Sequence, residues 1–103
     1  VLPEGRPDGA TVDAAGCYWV AAVRGSRLLR FTPEGRLDLT VELPVSRPSK
    51  IAFGGSDLKT IFVTSISDGL TPDEKAAEPL AGALLALDLG MEGLPATRFA
   101  TGR

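Results

Sequence analysis

The 103-residue sequence is long enough for one small domain and too short for two ordinary ones. Its hydrophobic fraction of 44% and charged fraction of 23% indicate a folded globular chain and exclude a disordered one. The net charge of -2 and the pI near 5.0 provide no basic surface for nucleic acid, so no nucleic-acid partner is expected.

The first half of the chain has the pattern of four short strands joined by tight turns. Apolar and polar residues alternate most clearly in the fourth strand, where Leu39 and Val41 share one face with Leu43. Proline and glycine in the segment 33–36 suit a type I turn before that strand. We predict an antiparallel meander with strands over 10–14, 17–23, 27–32 and 37–44.

The same pattern then repeats. Pro48 follows Pro7 by 41 residues and Val63 follows Val20 by 43, and a four-strand unit of this length is typical of a β-propeller blade. We predict an all-β chain of two four-stranded antiparallel blades, 1–46 and 47–103. A β-sandwich is the alternative on pattern alone. The predicted strands of the second blade are 51–55, 60–66, 82–89 and 94–100.

The second blade carries an insertion over residues 67–82. Within it, Thr71 can act as an N-cap, Pro72 suits the first helical position, and acidic residues follow in the first turn. These features predict one or two helical turns.

Two blades leave apolar faces open, because repeat arrays need three or more units to bury them. The chain also begins with Val1 and not with methionine, which is typical of a fragment or a processed piece. We expect the partner to be the rest of the same polypeptide, or further copies of this chain.

Several kinds of chemistry are absent or weakly indicated. There is no histidine, which removes Ser–His and Cys–His catalysis and every histidine-ligated metal site from this sequence. The single cysteine, Cys17, cannot form an internal disulfide, and we expect it to be a buried core residue in a cytoplasmic protein. No stretch is apolar enough to span a bilayer, so no membrane partner is expected.

Asp8 is the most distinctive acidic residue, because it stands between Pro7 and Gly9 just before the first predicted strand. Proline fixes the approach and glycine lets the backbone bend, so the carboxylate can be aimed into the central channel of a propeller. Carboxylate oxygen is a ligand for calcium and is also acceptable to zinc. The alternative is an ordinary turn aspartate that accepts hydrogen bonds from nearby backbone.

Four segments in order resemble the C-terminal third of the senescence-marker-protein (regucalcin), gluconolactonase and luciferin-regenerating-enzyme family. They are LPEGRPDGATVDAAGCYWVA, RLLRFTPEGRL, LPVSRPSKIAFGGSDLKTIFVTS and PLAGALLALDLGMEGLPATRFA. The resemblance runs from about Leu2 to about Ala100.

This resemblance implies a six-bladed propeller, of which the chain supplies the last two blades, and a calcium or zinc ion at the mouth of the channel. In the family the carboxylate of the PDG motif is a metal ligand, and Asp8 matches that position. The other family ligands, a Glu and an Asn, belong to earlier blades. So do the Arg, Asn and Glu that orient the sugar lactone.

The internal repeat marks a second position beside the channel. When Pro48 is aligned with Pro7, Ser49 matches Asp8 and Lys50 matches Gly9. The family usually has small hydroxyl residues here, so Lys50 is a departure from it. Lys50 would either favour an acidic substrate or extend into solvent.

Two functions follow. In the first, the complete protein is a metal-dependent sugar lactonase in which Asp8 is both the metal ligand and the catalytic residue and Ser49 and Lys50 contact the substrate. The isolated chain would then be inactive, because one ligand cannot hold the cation. In the second, the chain is part of a non-catalytic propeller that binds a protein or calcium.

Overall fold

The computed structural model describes residues 5–97 and residue 100. Two antiparallel sheets follow each other along the chain, and the strands in each are in sequence order. The first sheet contains β1 (Arg6–Val12), β2 (Tyr18–Val23), β3 (Arg27–Phe31) and β4 (Leu37–Glu42). The second contains β5 (Pro48–Gly54), β6 (Thr60–Ser65) and β7 (Leu85–Asp88).

The second sheet has one strand fewer than the sequence predicts. In the described residues it ends at β7, and the fourth strand predicted over 94–100 is wrong for residues 94–97, which form no strand. Residues 98 and 99 of that predicted strand lie outside the described part. The segment from 91 to 93 has another role, because it crosses to the first sheet.

That crossing links the turn between β1 and β2 to the segment that follows β7. The N–H of Ala14 donates to the carbonyl of Glu92 at 2.8 Å, and Gly93 bridges to Asp13. A Cβ on Gly93 would clash with the Phe53 side chain, so the crossing requires glycine at this position.

The predicted helix in the insertion is confirmed as α1 (Pro72–Ala77). Thr71 and Glu74 form a reciprocal capping box: the N–H of Thr71 donates to Oε1 of Glu74 at 2.8 Å, and the N–H of Glu74 donates to the Thr71 hydroxyl at 3.2 Å. The hydrogen bonds hold the pKa of Glu74 below its ordinary value. No described helix is long and apolar enough to cross a membrane.

The main apolar core lies between the two sheets. Trp19 packs between them, and its ring meets Phe53 edge to face at a centroid distance of 6.0 Å. The backbone of β5 lies against both β1 and β2, and among the described strands no other pair from different sheets approaches as closely. The fully buried members of this core are Trp19, Ala21, Leu28, Ile51, Ile61 and Val63, with Leu43 and Val45 nearly so.

A buried carboxylate supports the first sheet from within. Asp13 is 1% exposed, and its Oδ1 accepts hydrogen bonds from the N–H groups of Ala15 and Cys17, both at 3.0 Å. Its Oδ2 accepts from the indole N–H of Trp19 at 2.9 Å and from the guanidinium of Arg30 at 2.9 and 2.8 Å. One side chain therefore ties the β1–β2 turn to β2 and β3.

The ionisation of Asp13 reflects this environment. Burial alone would raise its pKa, but the hydrogen bonds from Trp19, Cys17 and Arg30, with the charge of Arg30, outweigh burial and lower the pKa. The same Arg30 guanidinium lies 5.8 Å from the centre of the Trp19 ring and reaches Asp38 at 2.6 Å. The carboxylate is therefore held in its charged form.

The start of β1 differs from the prediction. The strand begins at Arg6 and not at residue 10, because Arg6 and Pro7 pair with Val23 and Ala22 of β2. Asp8 consequently lies within a strand, whereas the sequence predicted it in a turn before the strand. Proline is tolerated in this edge strand at a place where pairing is about to be interrupted.

Candidate functional site

A β-bulge carries Asp8 and Gly9. Pro7 pairs with Ala22 and Ala10 pairs with Val20, so Asp8 and Gly9 together stand opposite the single residue Ala21. A bulge adds an unpaired residue, bends the strand and re-aims its side chains. The PDG motif therefore forms a bulge that presents Asp8.

The internal repeat places a second bulge at the equivalent point of β5. Pro48 pairs with Ser65 and Lys50 pairs with Thr64, which leaves Ser49 as the additional residue. The Ser49 hydroxyl lies 2.9 Å from the Thr64 hydroxyl, so its side chain is anchored to β6. The internal repeat correctly aligned Pro7 with Pro48, but no feature of the sequence predicted a bulge in either strand.

The two bulges touch at Gly9. A Cβ on Gly9 would lie 2.5 Å from the carbonyl oxygen of Ser49 and 2.7 Å from both Cα and Cδ of Lys50. Such approaches are possible only for glycine. The fold thus brings the Asp8–Gly9 backbone against Ser49 and Lys50, so the three candidate residues Asp8, Ser49 and Lys50 lie on adjoining bulges. We call this the bulge site.

The charged groups of the bulge site are exposed and not engaged elsewhere. Asp8 and Lys50 are exposed, and neither makes a hydrogen bond or an ion pair through its side chain with the described part of the chain. Asp13, by contrast, has all its polar contacts satisfied in the interior. An exposed carboxylate on a bulge with no protein partner is available to an external ligand.

The bulge site does not by itself make a metal centre. Among residues 5–97 and 100, no three Cys, Asp or Glu side chains come close enough to hold an ion. Calcium takes six to eight oxygen ligands and zinc usually four. The Asp8 oxygens fit one or two of those positions, and further ligands must come from outside the described residues.

A cleft opens at the same end of the sheets as the bulge site. It encloses about 300 Å³ and is lined by Arg24, Ser46, Arg47, Leu70 and Glu74. The insertion forms one wall, fixed by a hydrogen bond from the N–H of Ser46 to Oε1 of Glu78 at 2.7 Å and by Arg47 donating to the carbonyl of Asp68 at 3.2 Å. Sequence reasoning missed this wall, because no pattern predicted where the insertion would dock.

A larger cleft of about 360 Å³ lies at the opposite end of β1, beside Asp13, Arg30 and Glu92. Asp13 and Arg30 are already bound to each other, and Arg30 also binds Asp38. Because these groups have structural partners, the bulge site is the better candidate for chemistry.

Comparison with known proteins identifies the family of the chain. The family described as the SMP-30/Gluconolactonase/LRE-like region matches residues 2–67. The chain belongs to this family. The chain is 42% identical over 96 residues to 6-deoxy-6-sulfogluconolactonase of Pseudomonas putida, a match covering 93% of the chain and 33% of that protein. It is 40% identical over 99 residues to regucalcin of Xenopus laevis, covering 94% and 33%.

Solved structures of family members have a similar fold. A calcium-binding protein, regucalcin, from Agrobacterium tumefaciens superposes with a TM-score of 0.85 at 28% identity, over 89% of this chain and 31% of that one. A luciferin-regenerating enzyme superposes with a TM-score of 0.71 at 31% identity, over 87% and 30%. The chain therefore spans about a third of the length of these SMP-30 relatives.

Proposed function

We propose that the chain forms two adjacent blades of a six-bladed β-propeller, completed by the remaining blades of the same polypeptide or by further copies. The close approach of β5 to β1 and β2 supports adjacent blades whose inner strands meet at a common centre. In this arrangement the bulge site faces the central channel. The buried, unpaired Cys17 suits a cytoplasmic setting.

The proposed activity is that of a divalent-metal-dependent sugar lactonase, which hydrolyses a lactone ester to an aldonic acid. The observation that carries this proposal is the exposed Asp8 carboxylate on a bulge whose next residue, Gly9, lies against Ser49 and Lys50. Relatives named as lactonases support the reaction class.

Each residue of the bulge site has a proposed task. Asp8 is a ligand for calcium or zinc, and its second oxygen can accept a proton from the attacking water. Ser49 and Lys50 contact the substrate. A bound divalent cation supplies polarisation of the lactone carbonyl and stabilisation of the developing oxyanion.

A second candidate is a non-catalytic calcium-binding or interaction module. The solved relative described as a calcium-binding protein favours it. It uses the same Asp8 ligand but requires no turnover, so hydrolysis separates the two candidates.

The test is lactone hydrolysis by the assembled protein with calcium, zinc or manganese, against a control with EDTA. We expect activity that disappears on chelation and falls at least a hundredfold in Asp8→Asn. The matched control is Asp57→Asn, which removes the same charge from an exposed turn at the far end of β5 and should leave activity unchanged. Activity that survives both chelation and Asp8→Asn contradicts the metal role.

A further inference from the structure

The Lys50 side chain is held in place by its stem. Both Cα and Cδ of Lys50 would lie 2.7 Å from a Cβ on Gly9, so the aliphatic chain passes directly over the glycine of the first bulge. This packing restricts the rotamers of the Lys50 side chain, which would otherwise be very flexible. Because fewer rotamers remain to be lost, ligand binding by the ammonium group costs less side-chain conformational entropy.

The Lys50 ammonium lacks a compensating charge in the described part of the chain. It makes no ion pair there, even with Asp8, the residue next to Gly9. In the proposed site Asp8 is committed to a divalent cation, which would place two positive groups near each other. Such an arrangement is unfavourable unless an anion binds between or beside them.

Other charges at this end of the sheets do not neutralise Lys50. Arg24 and Arg47 line the neighbouring cleft and add positive charge. Among the acidic residues, Glu74 accepts from the N–H of Thr71 and Glu78 accepts from the N–H of Ser46. These hydrogen bonds leave both carboxylates negatively charged, but neither forms an ion pair with Lys50 in the described part of the chain.

We propose that Lys50 selects sugar lactones that carry a negatively charged substituent, such as a sulfonate or a carboxylate. This inference rests on the proposed lactonase function and adds the charge of its substrate. The relative named as 6-deoxy-6-sulfogluconolactonase shows that a protein of this family acts on a sulfonated lactone. Lys50 is the residue here that can form a charge-assisted hydrogen bond to such a group.

The experiment compares kcat/KM for 6-deoxy-6-sulfogluconolactone and for unsubstituted gluconolactone, using the assembled protein and its Lys50→Gln variant. We expect the ratio of the two values to fall roughly ten- to a hundredfold in Lys50→Gln, the effect of losing one hydrogen bond between charged groups. The matched control is Lys59→Gln, an exposed lysine in the β5–β6 turn, which should leave the ratio unchanged. Circular dichroism confirms that each variant is folded.

A second measurement separates this inference from the proposed function. Binding of the product anion 6-deoxy-6-sulfogluconate is compared with binding of gluconate by calorimetry in EDTA, since both products carry the same C1 carboxylate and differ only at C6. Loss in Lys50→Gln of a preference for the sulfonated product supports the inference even if neither lactone is hydrolysed, a result that would overturn only the lactonase proposal. If the lactones are hydrolysed but the ratio of their kcat/KM values is unchanged in Lys50→Gln, the inference is overturned and the lactonase proposal stands. If the protein neither hydrolyses the lactones nor binds either product, the inference and the lactonase proposal are both overturned.

Discussion

At the scale of single residues, Asp8 in β1 and Asp13 just after it show how the local environment gives two nearby carboxylates different roles. Asp13 is buried and accepts hydrogen bonds from two side chains and two backbone N–H groups, whereas Asp8 is exposed and has no partner in the described part of the chain. The first has a structural task because removal of its charge leaves buried donors unpaired. The second is free to bind a ligand.

Substitution of Asp13 by alanine should be strongly destabilising. The change leaves the Trp19 indole N–H and part of the Arg30 guanidinium without an acceptor, and breaking a buried ion pair costs about 3–5 kcal/mol. Chemical denaturation followed by Trp19 fluorescence measures this loss. Asp38→Ala removes the exposed partner of the same arginine and should cost less than about 1 kcal/mol. Equal losses in the two variants would contradict the assigned role of Asp13.

The lowered pKa of Asp13 makes stability depend on acid. Because the folded pKa lies below the ordinary value of 3.8, the unfolded state takes up the proton first. The contribution of Asp13 is complete above pH 3.8 and is lost as pH falls through the folded pKa. Denaturation curves should show a smaller decline below about pH 4 in Asp13→Asn than in the wild-type chain. Parallel declines would contradict this account.

The sequence revealed Asp8 but not Asp13. The Pro7–Gly9 setting of Asp8 was visible as a motif, and resemblance to the family strengthened it. Asp13 appeared as an ordinary strand residue, because its partners Trp19 and Arg30 are 6 and 17 residues away and nothing in the local pattern joins them. Pairing between side chains on different strands depends on register, which hydrophobic alternation alone does not define to one residue.

At the scale of elements, the bulges in β1 and β5 determine the positions of the proposed site residues. The sequence pattern predicted the later parts of both strands, 10–14 and 51–55, and proline spacing predicted their equivalence, but β1 and β5 begin earlier, at Arg6 and Pro48. The pattern could not predict the bulges, because each needs only one additional residue opposite a normally paired partner. The hydrophobic pattern also failed to predict where the second sheet ends, because residues 91–93 link the two sheets and do not add a strand.

Gly9→Ala tests whether the contact between bulges builds the site. The new methyl group would meet the Ser49 carbonyl oxygen and the Lys50 backbone, so we expect the strands to separate at a cost of about 1–3 kcal/mol. Amide chemical shifts of Ser49 and Lys50 should move more than those of other β5 residues. Ala52→Ser, at an exposed position of the same strand, serves as the control. Unchanged shifts and stability in Gly9→Ala would show that the two bulges do not touch.

At the scale of the whole molecule, the two sheets bury one face of each against the other and leave apolar side chains outside. The exposed large apolar residues are Val12, Tyr18, Leu37, Leu80, Leu84 and Leu94. Leu80, Leu84 and Leu94 lie in the segments beside β7, and the other three lie on strands of the first sheet. Both halves of the chain therefore expose apolar side chains, as expected of units that await neighbours. The sequence predicts that these two units are incomplete alone. Measurement of the oligomeric state tests this prediction directly.

The isolated chain should self-associate through these faces. We expect sedimentation velocity to show species larger than a monomer at micromolar concentrations, with a trimer if three copies complete six blades. Leu84→Glu, at a residue that is 63% exposed, should weaken association, whereas Lys59→Glu should not. A compact, fully folded monomer at all concentrations would contradict the proposal of missing blades.

The most direct test of the central claim is a crystal structure of the assembled protein soaked with manganese, with the ion located by its anomalous scattering. If Asp8 faces the channel as a metal ligand, an anomalous peak lies about 2.0–2.6 Å from its carboxylate oxygens in the wild-type protein and is absent in Asp8→Asn. A peak held elsewhere, or an Asp8 carboxylate on the outer perimeter of the assembly, would contradict the account.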